Sequence, residues 1–295
     1  MTCLRTVRKR ASALLVEGAK DVRVFRNLID ESVCDVVPTE GKRNAYDALN
    51  ALRKSKQAGV LVVVDADFSR VDGQLTLDPD VVVSDDHDME SMLLKSPAPV
   101  KLLIENDLKA DEFGPDIGQL LAKASIPLGY MRLASLKHKL NLGFNKIDYT
   151  RFVVGPPPQI DPANLVKEVL AQNPTCKRSA TELLGMMVAL QKVEHDHWQV
   201  GCGHDMTATL AALLSMKLGR EVPPYTVERQ LRLGYHMIDF ANPFVRCHQD
   251  MGAEERPLYR PPAIGVSISD FHKIHFTAFY AKLRSPQKIR VWEVT

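Results

Sequence analysis

The stretch from Val60 to Phe68, Val-Leu-Val-Val-Val-Asp-Ala-Asp-Phe, ends an unbroken apolar run abruptly in two carboxylates spaced by one residue. Consecutive β-branched and leucine residues without alternation suit a strand covered on both faces, the habit of parallel sheets in α/β proteins. Ligands of such sheets sit at the carboxyl ends of the strands. Asp65 and Asp67 are alternate residues, so while the strand holds they point to one side and are placed to grip one cation between them. An acidic loop gives the same letters, since exposed Asp is common at turns.

A chain of 295 residues can bury a sizeable core and is expected to form two domains, at roughly 150 residues each. Its formal net charge of +2 excludes a molecule that is polybasic throughout and leaves any nucleic-acid contact to local patches. Acid is locally concentrated: Asp65, Asp67, Asp72, Asp78, Asp80, Asp85, Asp86, Asp88 and Glu90 stand against the single base Arg70 within that stretch. Bound cations would relieve the imbalance; a solvated acidic loop is the other reading. The five cysteines include no Cys-x-x-Cys, so neither a disulfide framework nor a zinc ribbon is indicated, and reduced cytoplasmic thiols are expected. Arg5, Arg8, Lys9 and Arg10 precede an apolar run, Ala11 to Val16, that is too short for a signal peptide or a membrane span.

That run leads into Glu17-Gly18-Ala19-Lys20-Asp21, after which Val22, Phe25, Leu28 and Ile29 recur at helical spacing. Strand, tight turn and helix follow, with Gly18 making the sharp turn and Asp21 in the first helical turn. Val33 to Pro38 is expected as a second strand, and Ala45 to Lys56 as a helix with Leu49 and Leu52 inward. Lys42 falls at that helix entrance, placed to meet a phosphate, although an exposed lysine without a role fits equally. Asp80 to Ser84 supplies a fourth apolar run, followed at once by Asp85-Asp86-His87-Asp88-Met89-Glu90, with a helix starting near Asp88. Parallel crossovers return every strand in the same direction, so these acidic strand ends become neighbours.

Beyond about Pro97 helical segments are broken by prolines. Helices are expected over Ile117 to Ala124, Met131 to Lys139, Asn164 to Gln172, Thr181 to His195, Thr207 to Leu218 and Val227 to Met237. Gly155-Pro156-Pro157-Pro158 suits a rigid loop or a sub-boundary. Leu183, Leu184, Met187 and Leu190 form an apolar stripe that fits an intrachain core, a partner or a second copy. The spacing of His195, His197, Cys202 and His204 matches no common structural zinc pattern, and Gly201 to Asp205 is expected to turn the chain into a helix capped by Asp205. Lys273, Lys282, Arg284, Lys288 and Arg290, interleaved with Phe276, Phe279 and Tyr280, suit either a phosphate backbone or a solvated face.

An apolar strand ending in Glu17-Gly18-x-x-Asp21, and a later one ending in Asp65-x-Asp67 with one βα unit between, together resemble the Toprim domain of topoisomerases, primases and overcoming-lysogenization-defect (OLD) nucleases. The resemblance covers about residues 11 to 95. It implies an α/β fold, a Rossmann-like parallel sheet of about four strands sandwiched by helices over residues 1–98; the helical segments beyond are expected to form a mainly helical domain over 99–295 for partner binding or dimerisation. The resemblance implies Mg2+ or Mn2+ held by Glu17, Asp65 and Asp67; with that site in view, Glu17 is expected as a metal ligand or general base, Asp21 at a second metal or its bound water, Asp88 and Glu90 as further ligands, Lys42 steadying a phosphate and His87 as a secondary acid or base. Phe68-Ser69 departs from the small residue and glycine found there in many Toprim domains.

Asp21, the Gly41-Lys42 turn, His87-Asp88-x-Glu90 and Gly203-His204-Asp205 further resemble a bacterial OLD-like Toprim family that includes the nuclease partner of an ABC-type ATPase in the PARIS anti-phage system. The expected activity is therefore metal-dependent hydrolysis of DNA or RNA, tRNA included, in a cytoplasmic, toxin-like effector. No phosphate loop of the form Gly-x-x-x-x-Gly-Lys-Ser/Thr occurs in the chain, so an ATPase would come from outside. A topoisomerase needs a clamp domain with a nucleophilic tyrosine, and a primase a zinc module and a polymerase fold, for which this chain leaves no room. Two alternatives are a haloacid-dehalogenase-like phosphatase and a non-catalytic Toprim-fold docking module. The sixteen residues between Phe68 and Asp85 are too few for the phosphatase's intervening units.

Overall fold

β1 (Ser12–Val16), α1 (Ala19–Phe25), β2 (Cys34–Pro38), α2 (Lys42–Lys54), β3 (Val60–Val64) and β4 (Val81–Val83) turn the apolar runs into a parallel sheet ordered β2-β1-β3-β4. The computed structural model describes residues 12–26, 34–57 and 59–237. They fall into two compact units: a sheet unit, holding the described residues up to Ala66 together with Gln74–Met89 and residues 235–237, and a helical unit, holding Asp67–Gly73 and Glu90–Gly234. Arg5, Arg8, Lys9, Arg10, Cys3, Cys247 and the late basic and aromatic residues from Lys273 to Arg290 lie outside the described residues.

Central β1 pairs with β2 from Ser12 opposite Cys34 to Val16 opposite Pro38, and with β3 from Ala13 opposite Val60 to Val16 opposite Val63. β3 then pairs with β4 from Val62 opposite Val81 to Val64 opposite Val83. All of β1 is buried, which is why its run shows no polar alternation. On one face Ala13, Leu15, Val37, Val62, Val64 and Val81 pack with Ala45, Leu49 and Leu52 of α2, whose 45/49/52 spacing is a helical stripe. Burying each such leucine contributes about 1.5–3 kcal/mol. The strand order has a consequence for function. The chain leaves β1 toward β2 on one side and leaves β3 toward β4 on the other, so the gap between the ends of β1 and β3 is the switch point where ligands bind in doubly wound sheets.

Residues 65–80 join β3 to β4 without a helix or strand. Arg53 of α2 forks onto this connection, meeting Asp78 at 2.5 Å and Asp80 at 2.7 Å. Within the helical unit, Lys137 meets Asp72 at 2.7 Å. Three acids of the acidic stretch are thus matched by bases far away in sequence, which reduces the imbalance that bound cations were expected to relieve.

Beyond the sheet the chain forms α3 (Met89–Lys95), α4 (Ala98–Glu105), α5 (Ile117–Ala124), α6 (Ile126–Lys137), α7 (Pro162–Gln172), α8 (Ala180–Leu190), α9 (His197–Val200), α10 (Gly203–Leu218) and α11 (Pro224–Met237), of which all but Met89 and residues 235–237 belong to the helical unit. Several start earlier than periodicity suggests. Prolines 99, 127, 162 and 224 sit in first turns, where a missing N–H costs nothing, so they begin helices that a sequence reading takes them to break. Caps set other starts: Asp161 accepts from the N–H groups of Ala163 and Asn164, and Ser179 exchanges bonds with Glu182 in a capping box. α8 stops at Leu190 rather than His195. Gly155-Pro156-Pro157-Pro158 proves to be the turn of a small antiparallel hairpin, β5 (Val153–Val154) with β6 (Gln159–Ile160).

α8 packs on α6 and α7, with Leu183 and Met187 buried, so these two members of the apolar stripe serve an intrachain core. Asp205 is a further correction: it does not cap α10 but is fully buried, accepting from Arg132 Nε at 2.5 Å, Arg132 Nη2 at 2.6 Å and the Tyr149 hydroxyl at 2.6 Å. Arg132 also lies over the Phe144 ring, 4.3 Å from its centroid. Burial opposes the Arg132 charge, yet Asp205 holds its pKa above the ordinary value; burial first, then Asp205, pushes the Tyr149 phenol up. Among the described residues no helix is long and apolar enough to cross a membrane.

Candidate functional site

β1 and β3 end side by side, so the first residues beyond them, Glu17 and Asp65, are neighbours by register. The Asp65 N–H donates to Glu17 Oε1 at 2.8 Å, and the Asp65 carboxylate accepts in turn from the Met89 N–H at 3.1 Å. Met89 is the first residue of α3, whose leading N–H groups lack partners within the helix. Backbone amides therefore aim both carboxylates. The β1 tip is tied to the loop before α2 as well: Thr39 donates through its N–H (2.9 Å) and its hydroxyl (2.8 Å) to the Val16 carbonyl, and the Gly41 N–H donates to the Glu17 carbonyl at 2.8 Å.

The glycine this geometry requires is Gly41, whose φ of +116° and ψ of 158° suit glycine almost alone. Gly18, expected to make the sharp turn, has φ −145° and ψ 177°, an extended conformation open to any residue. Its N–H donates to the Asp21 carboxylate at 2.8 Å, so Asp21 closes the start of α1.

Lys42 is the first residue of α2 and is half-buried rather than exposed. Tyr46 lies one helical turn along. Burial pushes its phenol pKa up; the Lys42 charge opposes that rise, and Glu17 and Asp78 add to it. Glu17, Lys42 and Tyr46 thus share one electrostatic neighbourhood. Sequence reading passed over Tyr46; its signal was the i, i+4 spacing from Lys42.

Beyond β4, buried Ser84 accepts from the Ala66 N–H at 2.8 Å and donates to the Asp86 carbonyl at 2.6 Å, fixing the path into α3. Asp86, His87 and Asp88 on that path are buried.

Asp67 is placed differently from the sequence expectation. β3 ends at Val64, and Asp67 is exposed with φ +48°, so strand alternation does not carry its side chain to the same side as Asp65. Asp67 and Glu90 both belong to the helical unit, whereas Glu17, Asp21, Lys42, Asp65, His87 and Asp88 belong to the sheet unit. In the helical unit Glu90 lies with His204 and Glu228 in a group that could hold a metal ion. His204 thus groups with residues distant in sequence rather than with His195 or His197.

The sheet-edge donors Glu17 and Asp65 are carboxylate oxygens, the hard ligands that Mg2+ and Mn2+ take, so the residues present fit such an ion. No protein-family model matches the chain, and a search of curated proteins finds no match, so a functional reading stands on these residues alone.

Proposed function

We propose that the chain is a Toprim-type nuclease that hydrolyses nucleic-acid phosphodiesters, with Mg2+ or Mn2+, at the edge where β1 and β3 end. The observation that carries this is the hydrogen bond from the Asp65 N–H to Glu17 Oε1, which joins two acidic motifs 48 residues apart at the sheet's switch point. When bound, a divalent ion supplies charge cancellation on phosphoryl oxygens and a more acidic water. Glu17 and Asp65 are the residues to hold it. Their backbone hydrogen bonds set their orientation before any substrate arrives, so little reorganisation remains for the reaction itself. Lys42 offers a point charge to a phosphate oxygen. Tyr46, its phenol pKa raised, keeps its proton at neutral pH and can donate a hydrogen bond. His87, two residues before α3, is the secondary acid or base.

The test is cleavage of plasmid, single-stranded DNA and total tRNA with and without Mg2+ or Mn2+. Wild type should cut at least one of these, and only with metal; Glu17→Gln and Asp65→Asn should not. Full metal-dependent cleavage by both variants would remove the proposal.

Control by an ABC-type ATPase partner belongs to the same reading. Val188 of α8 and nearby Val193 are exposed apolar residues suited to a protein contact. Co-expression with an ATPase encoded alongside, followed by light scattering, should give a complex. A lone monomer that is equally toxic with and without the ATPase would end the regulated-effector reading and leave the edge chemistry standing.

A further inference from the structure

Glu90, His204 and Glu228 come from three different helices, α3, α10 and α11, and each offers a ligand atom within 4.8 Å of the other two. Buried neighbours fix each helix about its axis. Met92 and Leu93 lock α3, fully buried Asp205 locks α10 through Arg132 and Tyr149, and Val227 and Leu231 lock α11. Successive helical residues are turned by about 100°. Anchoring Asp205 inward therefore presents His204 outward, where it is exposed. Arg232 Nη1 stands 3.8 Å from Glu228 Oε1, beyond hydrogen-bond range, and steadies that carboxylate along α11.

Two carboxylate oxygens and an imidazole nitrogen therefore lie close enough to share one ion as a three-ligand set. We propose that Glu90, His204 and Glu228 hold one first-row divalent ion, Zn2+ or Mn2+, within the helical unit. The donor set decides the class of ion. Mg2+ takes oxygen ligands and keeps its waters, whereas an imidazole nitrogen with two carboxylates suits Zn2+ and Mn2+. Because the ligands come from residues 90, 204 and 228, the ion ties distant segments of the helical unit together. The proposal does not depend on the nuclease reading.

The experiment uses the full chain carrying Glu17→Gln and Asp65→Asn, so that the sheet edge does not contribute. Metal-depleted protein is dialysed against ZnCl2, MnCl2 or MgCl2, and bound metal and melting temperature are measured. One equivalent of Zn2+ or Mn2+ should bind and raise the melting temperature, with Mg2+ bound far more weakly. Adding His204→Ala or Glu228→Gln should weaken binding by at least about tenfold, the range seen even for outer-shell partners. His204 is exposed, so the metal-free melting temperature of His204→Ala should match its parent; should that variant misfold, Glu228→Gln carries the test. Unchanged affinity in the folded variants would overturn the proposal. So would the absence of any bound ion.

Discussion

In the sheet unit the carboxylates of Glu17 and Asp65 stand half-exposed at strand ends and take hydrogen bonds from the backbone N–H groups of Asp65 and Met89. In the helical unit the Asp205 carboxylate is fully buried and is held by the Arg132 guanidinium and the Tyr149 hydroxyl. The residue chemistry is the same and the burial differs. A carboxylate removed from water needs a cation and further donors to replace its hydration. One left at a strand end keeps part of its hydration and needs only orientation, which neighbouring amides provide. The first arrangement serves stability, and the second suits binding.

The largest expected effect tests the helical side. Asp205→Ala leaves Arg132 largely buried beside Tyr149 without its counter-charge and should cost about 3 kcal/mol, the low end for a broken buried pair because the Arg132 side chain remains 24% exposed. Urea unfolding measures it; a loss below 1 kcal/mol would mean that the two sites are not different in kind.

Glu17→Gln is the counterpart at the sheet edge. Stability should change by no more than about 0.5–1.5 kcal/mol, since a neutral oxygen can still accept the Asp65 N–H. Under the proposed nuclease function, metal-dependent cleavage should fall about a hundredfold or more. A variant that loses stability while retaining activity would invert the comparison.

Glycine substitutions sharpen the account of how the edge is held. Gly41→Ala meets no atom within 4 Å, so its cost is the backbone strain at φ +116°, about 1–3 kcal/mol. Gly18→Ala, at an extended conformation, should stay within about 0.5 kcal/mol. Paired thermal melts of the two variants separate these outcomes.

The smallest effect concerns pH and surface carboxylates of the helical unit. Asp148 is held below the usual carboxylate range first by the Thr150 hydroxyl, and Glu182 first by the Ser179 backbone N–H. A folded-state pKa below the unfolded one contributes stability above the ordinary carboxyl range, and that contribution fades as pH falls through the folded value. Below about pH 5 the melting temperature should therefore decline. Thr150→Val, which removes the hydroxyl at Asp148, and Ser179→Ala, which removes the second cause at Glu182, the Ser179 hydroxyl, should each flatten the decline slightly; an identical profile in both variants would assign the acid sensitivity to other groups.

Much of the sheet was legible in the sequence because a strand's apolar run is a local signal. The segments of β1 to β4 were each expected within a residue or two, and the parallel arrangement followed from their lack of alternation. Helix existence was legible too, whereas helix starts were not where a proline occupied the first turn. A proline's letter does not say whether it breaks a helix or begins one; the direction of the preceding chain does.

Glu17 and Asp65 stood out as candidates because each ended an apolar run. The bond between them waited on β1 and β3 becoming sheet neighbours in a particular register. Local periodicity and composition therefore determined that this chain builds an α/β unit with acid at its strand tips, followed by helices. Tertiary structure alone decided that Gly41 and not Gly18 makes the demanding turn, that Asp205 answers Arg132 rather than capping α10, and that His204 meets Glu90 and Glu228. The reason is physical: backbone hydrogen bonding and side-chain patterning act over a few residues, whereas a charge's partner depends on which distant segments packing brings within a few ångströms.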